Sequence, residues 1–245
     1  MIKGDIKMKM YKNIIMIIIT LIFVNRFVDN AYAEEHINFE NITIDDGLSQ
    51  STVEAMYQDS RGYIWIGTND GLNRYNGFEI KVYKADKGIE NTIASNHILS
   101  ISEDKKRNLW VGTDNGISKI NLDNYSIVNY SYYNDDKRTP YYNINSILIT
   151  EDETIVMGTS NGLYYYNEEN DSFKRILENK NILTSQDIID IKEDSENNIW
   201  IATDTGINKV DKKNKRIYKY ESNKENSSSG YKINSLMCDL SLIHI

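Results

Sequence analysis

Polar side chains recur along this chain at matched places. Gln50, Asn96 with His97, Asn145 and Gln186 lead into apolar runs, and Asp70, Asn115 and Asn161 each stand directly before a glycine. Amides, hydroxyls and carboxylates gathered in a ring can both donate and accept hydrogen bonds, which suits a polyhydroxylated ligand. The plainer role for the same residue types is to cap strands and make turns, and it competes at every one of these positions. His97 breaks the pattern at its place in the series, and a solvated histidine competes there with a ligand contact or a base.

No other grouping carries chemistry. Cys238 is the single cysteine, so there is no disulfide framework and no cysteine-based metal site. His36, His97 and His244 are spread along the chain without metal-ligand spacing. No glycine-rich phosphate loop opens a helix, and no serine sits in a nucleophile elbow. Asp45-Asp46 and Asp135-Asp136 are sequence neighbours, which point apart in an extended backbone. The expectation is a chain without catalysis, cofactor or metal.

The elements that would position the polar ring come from a repeat. Ile64-Trp65-Ile66-Gly67-Thr68-Asn69-Asp70-Gly71-Leu72 returns around Trp110, Val156 and Trp200, with its second glycine at 71, 116, 162 and 206. A period near 45 marks β-propeller blades. Each copy reads as a buried strand, a tight turn and a second strand. The predicted fold is therefore all-β, a partial propeller of four four-stranded blades and the start of a fifth, from a parent of seven or more. The blades are placed at 47–91, 92–140, 141–182 and 183–231, with a fifth opening at 232–239. The entry loop and the turn between the second and third strands of a blade reach one rim, which gathers the polar residues. Trp65, Trp110 and Trp200 are assigned to packing between blades. Blade three reads as shortened, counting Asn145 to Gly158 against Asn96 to Gly112. The fifth unit reads as one strand without a second.

Residues 1–33 have the layout of a secretory signal: four lysines, an apolar run over 14–24, then Ala31-Tyr32-Ala33. Residues 34–46 read as a lead-in, with a lone outer strand over 37–44 that would help close the ring. The final six residues, 240–245, fit no blade position and resemble a translated sequencing adapter, so they are expected to be foreign. The chain has 245 residues and a formal charge of −8. The leader carries +3, which leaves −11 on the body and argues against nucleic acid as a partner.

Asp59-x-x-Gly62-x-Ile64-Trp65-Ile66-Gly67-Thr68-x-x-Gly71-Leu72-x-x-Tyr75 resembles the two-component regulator propeller repeat. The lead-in Phe39 to Ser49 is similar to the start of such sensor regions. The resemblance spans about residues 37–237 and weakens where Val156 replaces Trp and Ala202 replaces Gly. It implies the N-terminal part of an extracytoplasmic sensor, whose parent continues through a membrane helix to a histidine kinase or diguanylate cyclase. The implied partners are a small-molecule or oligosaccharide ligand, the rest of the receptor chain and a second copy in the full-length receptor. A secreted propeller that binds glycan or protein, or a truncated polysaccharide lyase, are the alternatives.

Overall fold

The computed structural model describes residues 14–20, 39–86, 88–130, 143–176, 182–221, 233–238 and 243–244. The chain divides into two units, 1–41 and 42–245. In the first, residues 14–20 form a helix in which the Thr20 hydroxyl donates to the Met16 carbonyl at 2.8 Å. Among the described residues no helix is long and apolar enough to cross a membrane. The expected cleavage site at residues 31–33 lies outside the described residues.

The second unit consists of antiparallel sheets laid down in chain order. Blade one is β1 (Val53–Gln58), β2 (Ile64–Thr68), β3 (Gly71–Tyr75) and β4 (Ile80–Tyr83). Blade two is β5 (Ile98–Glu103), β6 (Asn108–Thr113), β7 (Gly116–Asn121) and β8 (Ile127–Tyr130). Blade three is β9 (Ile144–Ile149), β10 (Ile155–Thr159), β11 (Gly162–Asn167) and β12 (Ser172–Ile176). Blade four is β13 (Ile188–Glu193), β14 (Ile199–Thr203), β15 (Gly206–Asp211) and β16 (Arg216–Glu221). Every sheet is a simple meander. The first strands pack in sequence, β1 on β5, β5 on β9 and β9 on β13, which is the arrangement of propeller blades.

The burial of each strand follows from its place. β6 and β10 are buried along their whole length because neighbouring blades cover both faces. The tight turn after each second strand is locked by a buried threonine. Thr68, Thr113, Thr159 and Thr203 are fully buried and donate to the carbonyls of Gly71, Gly116, Gly162 and Gly206 at 2.8–3.0 Å. Each also accepts the backbone N–H two residues on, at 3.0–3.3 Å. One hydroxyl thus satisfies two backbone groups inside the sheet, where unpaired groups are costly.

Three expectations are corrected. Residues 39–43 have no regular structure, and Ile44–Asp46 is a turn of 3-10 helix rather than part of a lone strand. Asp46 Oδ2 accepts from the Thr43 backbone N–H at 2.8 Å, and Gly47 follows with φ 101°, a local closure that competes with extension. Blade three is not shortened. Val53, Ile98, Ile144 and Ile188 pair with Thr68, Thr113, Thr159 and Thr203, the same separation in every blade. Asn145 therefore lies inside β9 and not at the strand entry where Asn96 lies. Finally, the fifth unit has a second strand: β17 (Met237–Cys238) pairs antiparallel with β18 (Ile243–His244), so two of the last six residues join a ladder.

Candidate functional site

The rim that gathers the sequence candidates is built from strand entries and the turns after each second strand. Most of its polar side chains are engaged by the protein itself. The Gln50 amide oxygen accepts from the Thr52 N–H. Asp70 pairs with Lys84 at 2.5 Å. Asn96 Oδ1 accepts from the Ala85 N–H at 2.7 Å, and Asn145 Nδ2 donates to the Ile188 carbonyl of the next blade at 2.7 Å. The Gln186 amide oxygen accepts from Arg175 at 2.6 Å. His97 Nδ1 lies 3.5 Å from Asp114 Oδ2. Asn115 and Asn161 are held through their backbone N–H groups, which leaves their half-buried amides facing the rim.

At the opposite end of the blades the turns between first and second strands carry a repeated constellation that the linear pattern did not expose. Asp59, Asp104 and Asp194 each accept the indole N–H of the tryptophan six residues on, Trp65, Trp110 and Trp200, at 2.8 Å. A cation from the third strand lies over each ring: Arg74 at 6.0 Å, Lys119 at 5.3 Å and Lys209 at 5.1 Å. A fourth-strand tyrosine packs beside it: Tyr83, Tyr130 and Tyr220, with centroids 5.5, 6.1 and 5.9 Å away. The spacing Asp-x5-Trp is visible in the sequence and would have pointed to the first pair. Blade three replaces all four members together, with Thr150, Val156, Tyr165 and Ile176 at these places. The aspartate and the cation both lean on one indole, its N–H and its ring face, so losing the ring removes a partner of each and the set leaves together.

The clasp has a pH signature. Burial opposes ionisation of Asp194, but hydrogen bonds from Trp200 and Asn198 outweigh it and hold its carboxyl below the ordinary 3.8. A folded value below the unfolded one stabilises the fold above the unfolded value, and that stabilisation is lost as pH falls through the folded value. The melting temperature is therefore expected to fall below about pH 4, and Asp194→Asn should make that acid limb shallower. Thermal scans across this range check it; an unchanged limb in the variant would remove Asp194 from the account.

Between blades two and three, at the same end as the clasps, lies a cleft of about 520 Å³ with Trp110, Lys119, Ile155, Tyr165 and Tyr166 among its lining residues. It runs into a second hollow of about 420 Å³ that shares Lys119 and Tyr166 and reaches Asp171. Blades two and three are joined here by exposed ion pairs, Lys105 with Glu153 at 3.1 Å and Lys106 with Glu168. Two devices are missing, a glutamate clamp found in both neighbouring grooves and a tyrosine plug found between blades one and two. Between blades one and two, Ser60 donates its N–H and its hydroxyl to Glu103, both at 2.7 Å. Between blades three and four, the Glu151 N–H donates to Glu193 at 2.7 Å. The equivalent position in blade three is Ile149, which accepts nothing. The second device is Tyr125, in the turn after β7, whose ring covers Arg74 at 4.6 Å. Asp171 takes its place after β11, in the same left-handed backbone region (φ 45° against 58°). Asp171 Oδ1 accepts from the hydroxyls of both Tyr130 and Tyr166 at 2.5 Å. Burial first, then this carboxylate, pushes the Tyr166 hydroxyl up to about 12 and raises that of Tyr130, so both remain donors at neutral pH. None of the sequence candidates lines this cleft.

Comparison with known proteins fits this architecture. The family described as Two component regulator propeller matches residues 47–70, 92–115 and 182–205, segments of blades one, two and four. The extracellular domain of a B. thetaiotaomicron protein described as the hybrid two component system BT3049 is 19% identical over 74% of this chain and 26% of its own, with a TM-score of 0.66. The extracellular domain of BT4673 from the same organism, described as a one component system, is 25% identical over 68% of this chain and 22% of its own, with a TM-score of 0.57. A segment of 46 residues is 48% identical to Histidine kinase P4 of Formosa agariphila, 19% of this chain and 3% of that protein. Virginiamycin B lyase from Staphylococcus aureus shares the fold at 16% identity and a TM-score of 0.55, over 76% of this chain and 59% of its own. The chain spans about a quarter of the length of the B. thetaiotaomicron domains it matches. It is a β-propeller, and segments of three of its blades match the two-component regulator propeller repeat.

Proposed function

We propose that this chain is the N-terminal part of an extracytoplasmic, ligand-sensing propeller of a bacterial signal-transduction receptor, of two-component or cyclic-di-GMP type. The observation that carries the reading is the threefold match of the repeat, on a fold shared with extracellular domains of proteins described as one- and two-component systems. The positively charged, apolar leader supports export and, in the parent protein, tethering to the membrane. The propeller itself does no chemistry in this reading; kinase or cyclase activity belongs to a C-terminal output region. Its ligand is a small molecule or oligosaccharide at the polar rim, for which the amides of Asn115 and Asn161 are the best-placed donors. Its other partners are the remainder of the receptor chain and a second copy of the receptor.

Sequencing the transcript of this locus well past codon 239 tests the reading. The expected frame continues through further repeats into a membrane-spanning helix and a kinase or cyclase domain. A frame that ends once the propeller is complete would overturn it in favour of a secreted binding propeller.

A further inference from the structure

The groove between blades one and two shows what the open cleft between blades two and three is shaped to hold. In the filled groove a phenol ring, that of Tyr125, lies over Arg74 at 4.6 Å. Its hydroxyl accepts from the guanidinium of Arg61 at 3.0 Å. The rings of Tyr63 and Tyr125 face the Arg74 guanidinium from 4.7 and 4.6 Å. The repeat register carries each of these positions into the next groove. Lys119 stands where Arg74 stands, opposite the clasp tryptophan. Lys106, two residues past Asp104, stands where Arg61 stands two residues past Asp59. Both rings on Arg74 lack a counterpart: Asn108 stands where Tyr63 stands and Asp171 where Tyr125 stands, while Tyr166 adds one ring beside Lys119 from its own strand.

Lys119 shows the consequence. Its ammonium lies 5.3 Å from the Trp110 ring and 5.4 Å from the Tyr166 ring, yet among the described residues it pairs with no carboxylate. The corresponding Lys209 of blade four has Asp194 at 3.8 Å. Lys106 sits at the mouth of the cleft in an exposed pair with Glu168, a contact that a better acceptor can displace at small cost. A cation beside two rings gains further when another aromatic face covers its open side and excludes water.

We propose that the cleft between blades two and three binds a ligand bearing a phenol ring. The ring seats over Lys119 as Tyr125 seats over Arg74, and the phenol oxygen accepts from Lys106. The site lies at the opposite end of the blades from the polar rim, and it stands whether or not the receptor reading does. A tyrosyl side chain of a peptide and a free phenolic small molecule share this chemistry.

Calorimetric titration of the full chain tests the proposal with N-acetyl-tyrosinamide for the peptide source and with tyramine and 4-hydroxyphenylacetate for the free phenols. Saturable binding of any of them is the expected result; the capped amide alone would identify a peptide, and the free phenols alone a small molecule. Asp171→Tyr supplies the missing ring from the chain itself, at a backbone position where Tyr125 is already tolerated. It should weaken binding at least about tenfold, the loss expected when a favourable cation–ring contact is pre-empted. Asp171→Asn, which adds no ring, should still bind. Lys119→Met, which keeps the stem and removes the charge, should also weaken binding and serves if the tyrosine variant does not fold. Absence of saturable binding to all three probes, or wild-type affinity in folded Asp171→Tyr or Lys119→Met, would overturn the proposal.

Discussion

Trp110→Ala is expected to destabilise the propeller by about 3–5 kcal/mol, the usual cost of removing a fully buried aromatic side chain. The indole is fully buried and joins two blades. It touches Tyr130 in its own blade and Tyr166 and Phe173 in the next, with centroid separations of 6.1, 4.9 and 6.0 Å. Truncation opens a cavity across the interface, removes a donor from Asp104 and takes a ring face from Lys119. Blade three shows the conditions under which the tryptophan is dispensable. There Val156 comes with Thr150 and Tyr165, so neither a carboxylate nor a cation is left behind. Adding Asp104→Thr and Lys119→Tyr to Trp110→Val should therefore cost less than the sum of the single changes, as expected for residues acting as one unit. Urea unfolding followed by circular dichroism measures both effects. A loss below about 1 kcal/mol for Trp110→Ala would mean the site collapses freely and the clasp does not hold the blades.

Gly112→Ala is expected to cost about 1–3 kcal/mol by overpacking, although it adds one methyl group. A Cβ at this position would lie 2.3 Å from Ser100 Oγ, 2.7 Å from the Ile144 carbonyl and 2.8 Å from Ile144 Cβ. The carbonyl belongs to β9, the first strand of the next blade, so relief requires moving a strand. At Gly67 the nearest atoms are all on side chains, Ile98 Cγ2 at 2.6 Å and Cβ at 2.9 Å, and the same substitution should cost less. The glycine sets how closely one blade's second strand approaches the next blade's first. Blade four carries Ala202 instead, fully buried beside Leu236 and Ile233, so a methyl group can be accommodated where the neighbouring strand is different. The ordering is read from urea midpoints of the two variants; equal stability of Gly112→Ala and wild type would show that β9 moves without penalty.

The tertiary contacts also explain why the polar ring was easier to find than the cleft. Gln50, Asp70, Asn96 and Gln186 stand out in the sequence because turns and strand entries favour such residues, and in the structure these side chains serve those turns and entries. Asn145 reads as a strand-entry residue because it stands at the start of an apolar run, but the ladder places it inside β9. The lead-in alternates enough to suggest a strand, yet Thr43 and Asp46 close a local turn over part of it. Such hydrogen bonds within a few residues compete directly with extension, and alternation of apolar residues does not register them.

The sequence by itself determined the all-β propeller, its repeat length and the strands of each blade. These rest on local features: β-branched runs, turn residues and a glycine returning at a near-constant interval, each of which acts within one blade. It also determined that blade three departs from the others, through Val156. Only the tertiary structure decided what that departure means. Thr150, Val156, Tyr165 and Ile176 lie on four different strands or turns, and Ile149 and Asp171 on two further positions. Their effect, a groove over Lys119 that lacks the glutamate clamp and the tyrosine plug, exists only where two blades meet. A repeat pattern reports what each blade must be to fold, whereas the space left between two blades depends on pairs of residues far apart in the chain.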